Sequence, residues 1–211
     1  MDFFITYILP CIYSYFIGSI SFSIILTKIL LKKDIRDFGS GNAGGTNVAR
    51  TIGTLPGLAV VLLDAFKCVI CIWISQFLIP GVDNKTSMAL AGLFCIIGHM
   101  FPVFYKFKGG KGISSCAGFM LAMCPIGCLI LVTLFVIIVA ISRYISLGSV
   151  LAISLTPIIS YIFMPEQYKL SVAIIFILVA ALAIFMHRSN IKRLIKGTES
   201  KFSFKKTQKN K

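Results

Sequence analysis

Long apolar stretches fill most of this chain, and only short polar segments separate them. A helix needs about 20 mostly apolar residues to cross the hydrocarbon core of a bilayer, because each residue adds about 1.5 Å. Measured against that length, the sequence divides into these apolar runs: Phe3 to Leu31, Leu55 to Pro80, Ser87 to Phe107, Ile113 to Cys124, Ile126 to Ile141, Ile145 to Met164 and Leu170 to Met186. This pattern predicts an all-α fold, a polytopic transmembrane bundle of about seven helices.

The composition excludes an ordinary soluble domain. Hydrophobic residues make up 57% of the chain and charged residues only 13%, whereas a soluble domain has roughly a quarter charged residues. The first residues, MDFFITYILP, carry neither the positive region nor the small-residue cleavage site of a signal peptide. We therefore interpret them as the start of the first span and expect the mature chain to begin near Met1.

The two apolar runs between Ile113 and Ile141 could form one long tilted helix or two short ones. Pro125 and Gly127 lie in the middle and favour a break. With a hairpin at this break, the basic loops and the C-terminal tail all lie on one side of the membrane. The excess of 21 Lys and Arg over 7 Asp and Glu then follows the positive-inside rule. This arrangement predicts an extracellular N-terminus and a cytoplasmic C-terminus.

We expect one membrane-embedded domain over residues 1–190 and a basic cytoplasmic tail over residues 191–211. The tail sets a series of lysines and Arg193 against a single acid, Glu199, and each cation near an anionic leaflet contributes about 1 kcal/mol to surface binding. Nucleic-acid binding is the alternative, but no binding fold and no interleaved aromatic residues accompany this charge. We therefore expect no nucleic-acid partner.

The seven cysteines lie mostly inside the apolar runs, where they are typical of small packing residues and not of a disulfide framework. Cys68 and Cys71 form a CxxC pair, but no second pair of ligands accompanies it. The acids number only 7, and no cluster of carboxylates faces the polar segments. We expect neither a metal nor a cofactor.

The first polar segment that carries chemistry runs from Asp37 to Arg50 and reads DFGSGNAGGTNVAR. Its glycines permit positive φ, so successive N–H groups can form a nest for an anion. Further hydrogen-bond donors are Ser40, Asn42, Thr46 and Asn47. A phosphate would fit here, with Arg50 as its counter-charge. Three other interpretations fit this segment less well. A dinucleotide-binding loop would follow a β-strand, and a Walker A loop would have a lysine in place of Gly45. A flexible linker seldom combines this many Asn and Thr residues with a terminal arginine.

The second polar segment, GHMFPVFYKFKGGKG, ends one span and opens the next. Gly109, Gly110 and Gly112 bend the backbone so that amides at the start of the following helix point outward. Lys108 and Lys111 lie beside these amides, which makes the segment a second candidate phosphate site. The lysines could instead be anchors at the membrane surface, but that interpretation leaves the glycines unexplained.

Two further polar segments follow later spans. The segment Ser142 to Ser149 is the less specific one, because serines at a helix start are often only N-caps. In the last segment, spacings of three residues place His187, Asn190 and Arg193 on one helical face. That trio is suited to anionic partners.

In this order, the segments resemble the bacterial acyl-phosphate:glycerol-3-phosphate acyltransferases, the PlsY family. The resemblance covers nearly the whole chain and rests mainly on SGNAGGTNVAR and GHMFPVFYKFKGGKG, with a Ser-Leu segment and HRSNIKRLIKGTE downstream. It implies these catalytic residues: Ser40, Arg50, Lys108, Ser146, His187 and Asn190. It implies these substrate-binding residues: Gly41, Asn42, Thr46, Asn47, Gly109, Gly110, Lys111, Gly112, Arg193 and Glu199. One departure is Gly44-Gly45, where many members have a single glycine, and we expect only a small change in loop flexibility.

The resemblance implies a multi-pass enzyme of the bacterial inner (cell) membrane with its active site facing the cytoplasm. It would transfer an acyl group from acyl phosphate to glycerol-3-phosphate, giving 1-acylglycerol-3-phosphate and inorganic phosphate in phospholipid biosynthesis. Its partners would be these substrates and the bilayer, with a functional link to the enzyme that supplies acyl phosphate. Because an acyl phosphate is already a mixed anhydride, the protein chiefly has to position the reactants and neutralise charge. Either His187 or a phosphate oxygen of a substrate could accept the proton.

Two other classes of function compete with this one. An acyltransferase that uses acyl-CoA usually shows a His-x4-Asp dyad, but Phe104 and Lys192 stand where its aspartate should be. A small transporter or anion channel would need ionisable residues at mid-membrane. Asp64 and Lys67 are the only such candidates, and their spacing predicts a local pair near the cytoplasmic end.

Overall fold

The structure, a computed structural model, describes residues 3–78 and 85–202. Within these ranges the regular structure is entirely helical, which confirms the all-α prediction. Apart from short π-helical and 3-10 segments, the helices are α1 Leu9–Gly18, α2 Phe22–Leu31, α3 Gly45–Thr51, α4 Thr54–Leu78, α5 Lys85–Met100, α6 Ile113–Met123, α7 Pro125–Ser142, α8 Ile145–Phe163, α9 Lys169–Met186 and α10 Arg188–Ile195.

Six helical stretches are long and apolar enough to cross a membrane: Phe4–Leu31, Thr54–Leu78, Lys85–Tyr105, Pro125–Ser142, Ile145–Phe163 and Glu166–Met186. The seventh predicted span corresponds to α6, which has 11 residues and is therefore about 16 Å long. That length is about half of a hydrocarbon core of about 30 Å. The described part of the chain thus holds six full-length candidate spans and one half-length helix. Pro80, the predicted end of the second apolar run, lies outside the described residues.

The first span is broken in the middle. α1 ends at Gly18, Ser21 is extended with φ −101° and ψ 99°, and α2 then begins at Phe22. The first half of this span packs closely against α5, because a Cβ on Gly18 would lie 2.1 Å from the carbonyl oxygen of Cys95. The break interrupts the helical hydrogen bonds, so carbonyl groups at this point are open to other partners.

A second break separates α6 from α7. Cys124 leaves the helical region with φ −148° and ψ 77°, and Pro125 starts α7 at a position where its missing N–H costs nothing. The residues between Ile113 and Ile141 therefore form two helices, as the proline predicted. The start of α6 and the start of α8, which follows α7, contribute to the wall of the same cavity. The break is thus a reversal of the chain, and it brings the polar segments to one end of the bundle.

The helices pack around an apolar core and leave many large apolar side chains on the outside. In the core, the rings of Phe119 and Phe176 stack with their centroids 4.3 Å apart. On the outside, Leu129 is 68% exposed and Ile141 is 81% exposed. Because a water-soluble protein rarely exposes so continuous an apolar surface, these helices face lipid.

Candidate active site

A cavity of about 450 Å³ lies where the polar segments meet at one end of the bundle. Its wall includes many of the residues that were predicted from the sequence: Ser40, Asn42, Thr46, Asn47, Arg50, Lys111, Gly112, Ser146, His187, Asn190 and Glu199. The remaining predicted residues lie outside this wall: Gly41, Lys108, Gly109, Gly110 and Arg193. Four segments that are far apart in the chain therefore form one site.

The side chain of Asn47 holds the first loop in shape. Its amide nitrogen donates to the carbonyl oxygens of Phe38 at 2.9 Å and Asn42 at 3.1 Å, and its Oδ1 accepts from the N–H of Ser40 at 3.1 Å. Gly39 has φ +55°, and a Cβ there would lie 2.3 Å from the Oδ1 of Asn47. Only glycine fits such a position. Asn47 therefore uses its hydrogen bonds to shape the loop that presents Ser40.

Arg36 joins the first loop to the second. Its Nη1 donates to the carbonyl oxygen of Tyr105 at 2.9 Å and, at 3.4 Å, to that of Lys108. Its Nε and Nη2 donate to the carboxylate of Asp34 at 3.0 and 2.8 Å, and these hydrogen bonds hold the pKa of Asp34 below its usual range. The side chain of Lys108 is exposed, so Lys108 takes part in this connection between the two loops only through its carbonyl group.

Gly109 and Gly110 form a tight turn that comes just before the wall residues Lys111 and Gly112. Their N–H groups donate to the carbonyl oxygens of Met100 at 3.2 Å and His99 at 3.0 Å. A Cβ on Gly109 would lie 2.1 Å from the carbonyl oxygen of His99. The turn therefore requires glycine for its close approach to the end of α5, and it delivers Lys111 to the cavity.

Lys111 reaches from this turn across the cavity to α10. Its Nζ donates a short hydrogen bond to the Oδ1 of Asn190. Burial lowers the pKa of Lys111 to about 8, because the charged form loses hydration, while the nearby carboxylate of Glu199 partly opposes this shift. Lys111 is therefore still mainly charged at neutral pH, but it titrates close to it.

Glu199 organises the other side of the cavity. Its Oε1 accepts from the hydroxyl of Ser146 and from the amide of Asn190, both at 2.7 Å, and its Oε2 accepts from Nε of Arg193 at 2.6 Å. The side chain is buried, and although burial alone would raise its pKa, these partners lower it. Arg193, which lies outside the wall, thus acts on the site through Glu199. The segment after α10 borders the site, since Glu199 and Phe202 are in the cavity wall.

His187 lies at the junction of α9 and α10 and is 3% exposed. Its Nδ1 donates to the carbonyl oxygen of Ala183 at 2.8 Å, since a carbonyl can only accept. In the neutral ring Nε2 is then the unprotonated nitrogen. Burial lowers the pKa of His187 to about 4, so the imidazole is neutral at pH 7 and only weakly basic.

The polar end of the cavity attracts anions. The N-cap and first turn of α6 contribute Gly112 and Ile113 to the wall, and the first turn of α8 contributes Ile145 and Ser146. N–H groups at a helix start have no partner within their helix. Gly112 caps α6 with φ +83°. Arg50 adds a positive charge from the last turn of α3. A phosphate group would find helix starts, an arginine and a lysine at one place.

The opposite end of the same cavity is apolar. It runs between α6, α7 and α8, and its wall there is built by Cys116, Met120, Cys128, Leu131, Phe135 and Ile153. These residues belong to helices whose outer faces meet lipid. A flexible hydrocarbon chain that begins at the polar end can continue along this wall, which we call the apolar arm.

The sequence did not point to two buried residues of the wall, Asp64 and His99, as site residues. Asp64 forms an ion pair with Lys67 at 2.8 Å, which confirms the local pair predicted from their spacing. His99 approaches the same pair from α5, and its Nδ1 lies 3.4 Å from the Oδ1 of Asp64. A signal was present, because His99 is the second residue of the second polar segment, but nothing in its spacing connected it to α4.

This fold and this cavity define a membrane-embedded helical enzyme that handles an anionic group beside an apolar chain. Residues 8–197 match the family model described as glycerol-3-phosphate acyltransferase. A glycerol-3-phosphate acyltransferase from Finegoldia magna is 44% identical over 187 residues, which is 89% of this chain and 91% of the relative. One from Clostridioides difficile is 40% identical over 203 residues, covering 95% of this chain and 98% of the relative.

Among solved structures, the chain is similar to crystal structures of PlsY, an integral membrane glycerol 3-phosphate acyltransferase. The glycerol 3-phosphate form has a TM-score of 0.85 and 35% identity, with 93% of this chain and 95% of that chain covered. The lysophosphatidic acid form has a TM-score of 0.82 and 34% identity with the same coverage. The chain therefore belongs to the glycerol-3-phosphate acyltransferase family. It is an integral membrane acyltransferase of phospholipid biosynthesis with glycerol-3-phosphate as a substrate.

Proposed function

We propose that this enzyme takes its acyl group from an acyl phosphate and releases 1-acylglycerol-3-phosphate and inorganic phosphate. The observation that carries the proposal is the continuity of the polar end of the cavity with the apolar arm. An acyl phosphate has a charged head directly attached to a hydrocarbon chain, which matches this change of polarity. The nucleotide part of an acyl-CoA would need a large polar binding surface in addition.

In the proposed reaction, the hydroxyl oxygen at carbon 1 of glycerol-3-phosphate attacks the carbonyl carbon of the acyl phosphate. The bond between that carbon and the bridging oxygen breaks, and inorganic phosphate leaves with the electron pair. Two phosphate groups therefore meet in one cavity, and their repulsion has to be offset. Arg50, Lys111 and the starts of α6 and α8 provide positive charge and N–H groups for this purpose.

We assign the remaining residues by where they lie. Ser40, Ser146 and Asn190 present hydroxyl and amide groups to the reactants, and Glu199 holds the last two in place. Asn42 and Thr46 bind phosphate from the cavity wall, and Gly41, which lies outside the wall, stays in the proposed phosphate-binding set on the family resemblance alone. Lys108 is exposed and lies outside the wall, and it stays in the proposed catalytic set on the family resemblance alone.

The hydroxyl proton has two candidate acceptors. His187 has a free Nε2 lone pair, but burial lowers the pKa of His187 to about 4, which makes it a poor base. A phosphate oxygen of either substrate lies within reach by the nature of the reaction. We favour the substrate phosphate because its basicity is closer to neutral pH, with a second pKa of about 6 for a phosphate monoester.

We further propose that the cavity faces the cytoplasm in the inner (cell) membrane, with the N-terminus outside. The basic segment 191–211 would then lie at the anionic cytoplasmic leaflet. Residues 203–211 of this segment lie outside the described part of the chain. The same orientation would give the cavity access to glycerol-3-phosphate and to the enzyme that supplies acyl phosphate.

The donor can be tested with the purified protein, labelled glycerol-3-phosphate and either palmitoyl phosphate or palmitoyl-CoA. We expect lysophosphatidic acid and stoichiometric inorganic phosphate from palmitoyl phosphate alone. The Ser146→Ala variant, purified in the same way, identifies product that comes from a contaminating enzyme. Product from palmitoyl-CoA but not from palmitoyl phosphate would overturn the proposal.

A further inference from the structure

Three ionisable side chains from two helices meet in the interior of the bundle. Asp64 and Lys67 lie one turn apart on α4, and His99 lies near the end of α5. Their side chains are 2%, 4% and 6% exposed. Such a cluster within membrane-spanning helices is costly to bury, which points to a function beyond packing.

The ammonium group of Lys67 makes two hydrogen bonds and one ion pair. Nζ lies 2.8 Å from the carbonyl oxygen of Ile20, 2.8 Å from the Oδ1 of Asp64 and 3.1 Å from the Nδ1 of His99. The carbonyl of Ile20 is open because the first span is broken there. An ammonium group has no lone pair, so the Nδ1 of His99 must accept. The imidazole is therefore held as the neutral tautomer with its proton on Nε2.

The protonated edge of this imidazole is packed against the glycine turn. A Cβ built on Gly110 would lie only 2.1 Å from the Nε2 of His99 and 2.8 Å from the carbonyl oxygen of Ala43. The N–H of Gly110 also donates to the carbonyl oxygen of His99 at 3.0 Å. His99 thus contacts the turn through both its backbone and its ring. The next residue of the turn is Lys111, which enters the cavity.

The cluster is also tied to the start of α6. The hydroxyl of Ser115 donates to the carbonyl oxygen of Asp64 at 3.2 Å, and both Asp64 and His99 contribute to the cavity wall. The interactions therefore run from the break in the first span, through Lys67 and His99, to the turn and the helix start beyond it. The loop before α3 is adjacent, since the carbonyl oxygen of Ala43 lies 2.8 Å from the position of a Cβ built on Gly110.

We propose that Asp64, Lys67 and His99 form a positioning device for the glycerol-3-phosphate site. Lys67 fixes the tautomer and orientation of the His99 ring, and the ring fixes the turn at Gly110 so that Lys111 and the first amides of α6 point at the bound phosphate. None of the three is a catalytic residue. This inference rests on the proposed function and places the phosphate of glycerol-3-phosphate at the turn that carries Lys111, the second candidate phosphate site of the sequence.

A structural role alone predicts something different. A buried ion pair contributes little to stability compared with well-packed apolar groups of similar volume. If the cluster only filled space, apolar replacements of matched size would leave both Michaelis constants unchanged or would lower stability and activity together. A positioning role predicts a selective change in the handling of one substrate.

The test measures steady-state kinetics and detergent-phase melting temperature for His99→Leu, His99→Gln and the double variant Asp64→Asn/Lys67→Met. Leucine keeps most of the volume of histidine without its nitrogens, whereas glutamine can place an amide N–H near the position of Nε2. We expect His99→Leu to raise the KM for glycerol-3-phosphate about tenfold, with kcat and the KM for the acyl donor within about threefold. His99→Gln should recover most of this loss.

The double variant removes both charges together, so it leaves no unpaired charge in the bundle. We expect it to raise the same KM, and we expect His99→Leu added to it to cause no further rise, since all three residues act through one contact. Additive effects, or a rise in the KM for the acyl donor instead, would overturn the proposal.

This test can be interpreted whichever acyl donor the enzyme uses. If the wild-type protein used only palmitoyl-CoA, the donor proposal would fail, but the KM for glycerol-3-phosphate could still be compared among the same variants. A selective rise with either donor supports the positioning device. A fall in kcat with both KM values unmoved contradicts it.

Discussion

Two buried carboxylates organise this protein, and their surroundings are opposite. Glu199 lies at the polar end of the cavity, and its partners Asn190 and Arg193 are less than ten residues away in the chain, with Ser146 more distant. Asp64 lies within a membrane-spanning helix, and its cluster joins α4, α5 and the break in the first span.

The difference shows where a membrane enzyme can place charge. The cluster around Glu199 borders water, because the side chain of its cation partner Arg193 is 41% exposed. The side chain of Lys67 is 4% exposed and has no comparable access to solvent. We infer that the first cluster acts directly on substrates, whereas the second shapes the backbone around them.

The largest difference between the clusters should appear in stability when each loses its cation. Lys67→Met leaves Asp64 as an unpaired charge in the bundle, and we expect it to cost about 3–5 kcal/mol of unfolding free energy. Arg193→Met removes a partly exposed cation and leaves Glu199 with two other partners, so it should cost only about 1–2 kcal/mol. Reversible unfolding in mixed micelles measures both variants. Equal losses would show that the two clusters do not differ in burial as described.

Activity should respond in the opposite way. Glu199→Gln removes the negative charge that accepts hydrogen bonds from Ser146, Asn190 and Arg193. We expect kcat/KM to fall about 10- to 100-fold, because the charge-assisted hydrogen bonds that hold these groups are lost. The melting temperature should change little. The same substitution at Glu166, whose side chain is 86% exposed, is the matched control and should leave kcat/KM unchanged. A full-rate Glu199→Gln enzyme would remove Glu199 from the proposed site.

The pH dependence should identify Lys111 as the titrating cation of the polar end. Burial lowers its pKa to about 8, so the ammonium form is present below that pH and is lost above it. We therefore expect kcat/KM for glycerol-3-phosphate to fall as the pH rises through about 8. Lys111→Arg should remove this decline, because an arginine stays charged. His187, whose pKa burial lowers to about 4, should add no step between pH 5 and 7. An unchanged decline in Lys111→Arg would assign it to another group.

The smallest expected effect concerns the apolar arm. Leu131→Phe adds volume to the wall of the apolar arm. We expect the KM for palmitoyl phosphate to rise a few-fold, because overpacking in an apolar interior costs about 1–3 kcal/mol. The KM for a short-chain donor, which does not reach this part of the arm, should be unchanged. Leu129→Phe is the matched control, since Leu129 is 68% exposed on the outer face of the same helix. Kinetics with donors of different length measure both. A similar response of the two variants would contradict the placement of the acyl chain.

Much of the fold and of the polar end follows from the sequence. The apolar runs predict the long helices, and Pro125 predicts the break between α6 and α7. The polar motifs stand out because glycines, amides and cations are rare in such a chain, and most of them do meet in one cavity. The half length of α6 is harder to predict, because an apolar run of about 12 residues fits either a short span or a partly buried helix.

Only one contact in the cluster of Asp64, Lys67 and His99 could be predicted from the sequence. The spacing of Asp64 and Lys67 on one helix gives their pairing directly. The contact with His99 depends on how α4 packs against α5, and the contact with Ile20 depends on a break in the first span that contains neither proline nor a run of glycines. Such contacts between helices leave no periodic pattern in a single sequence. Lys108, which was predicted to be catalytic from its motif, has an exposed side chain, and its role stays a prediction.

The most direct test of the central claim, acyl transfer within this cavity, compares two arginines at the same end of the bundle. Arg50 is in the cavity wall, whereas the guanidinium of Arg188 stacks on Phe185 at 4.3 Å outside it. With labelled glycerol-3-phosphate and palmitoyl phosphate, we expect Arg50→Ala to lose at least about 100-fold in kcat/KM at unchanged melting temperature, and Arg188→Ala to stay within about twofold. Equal activities of the two variants would contradict the account.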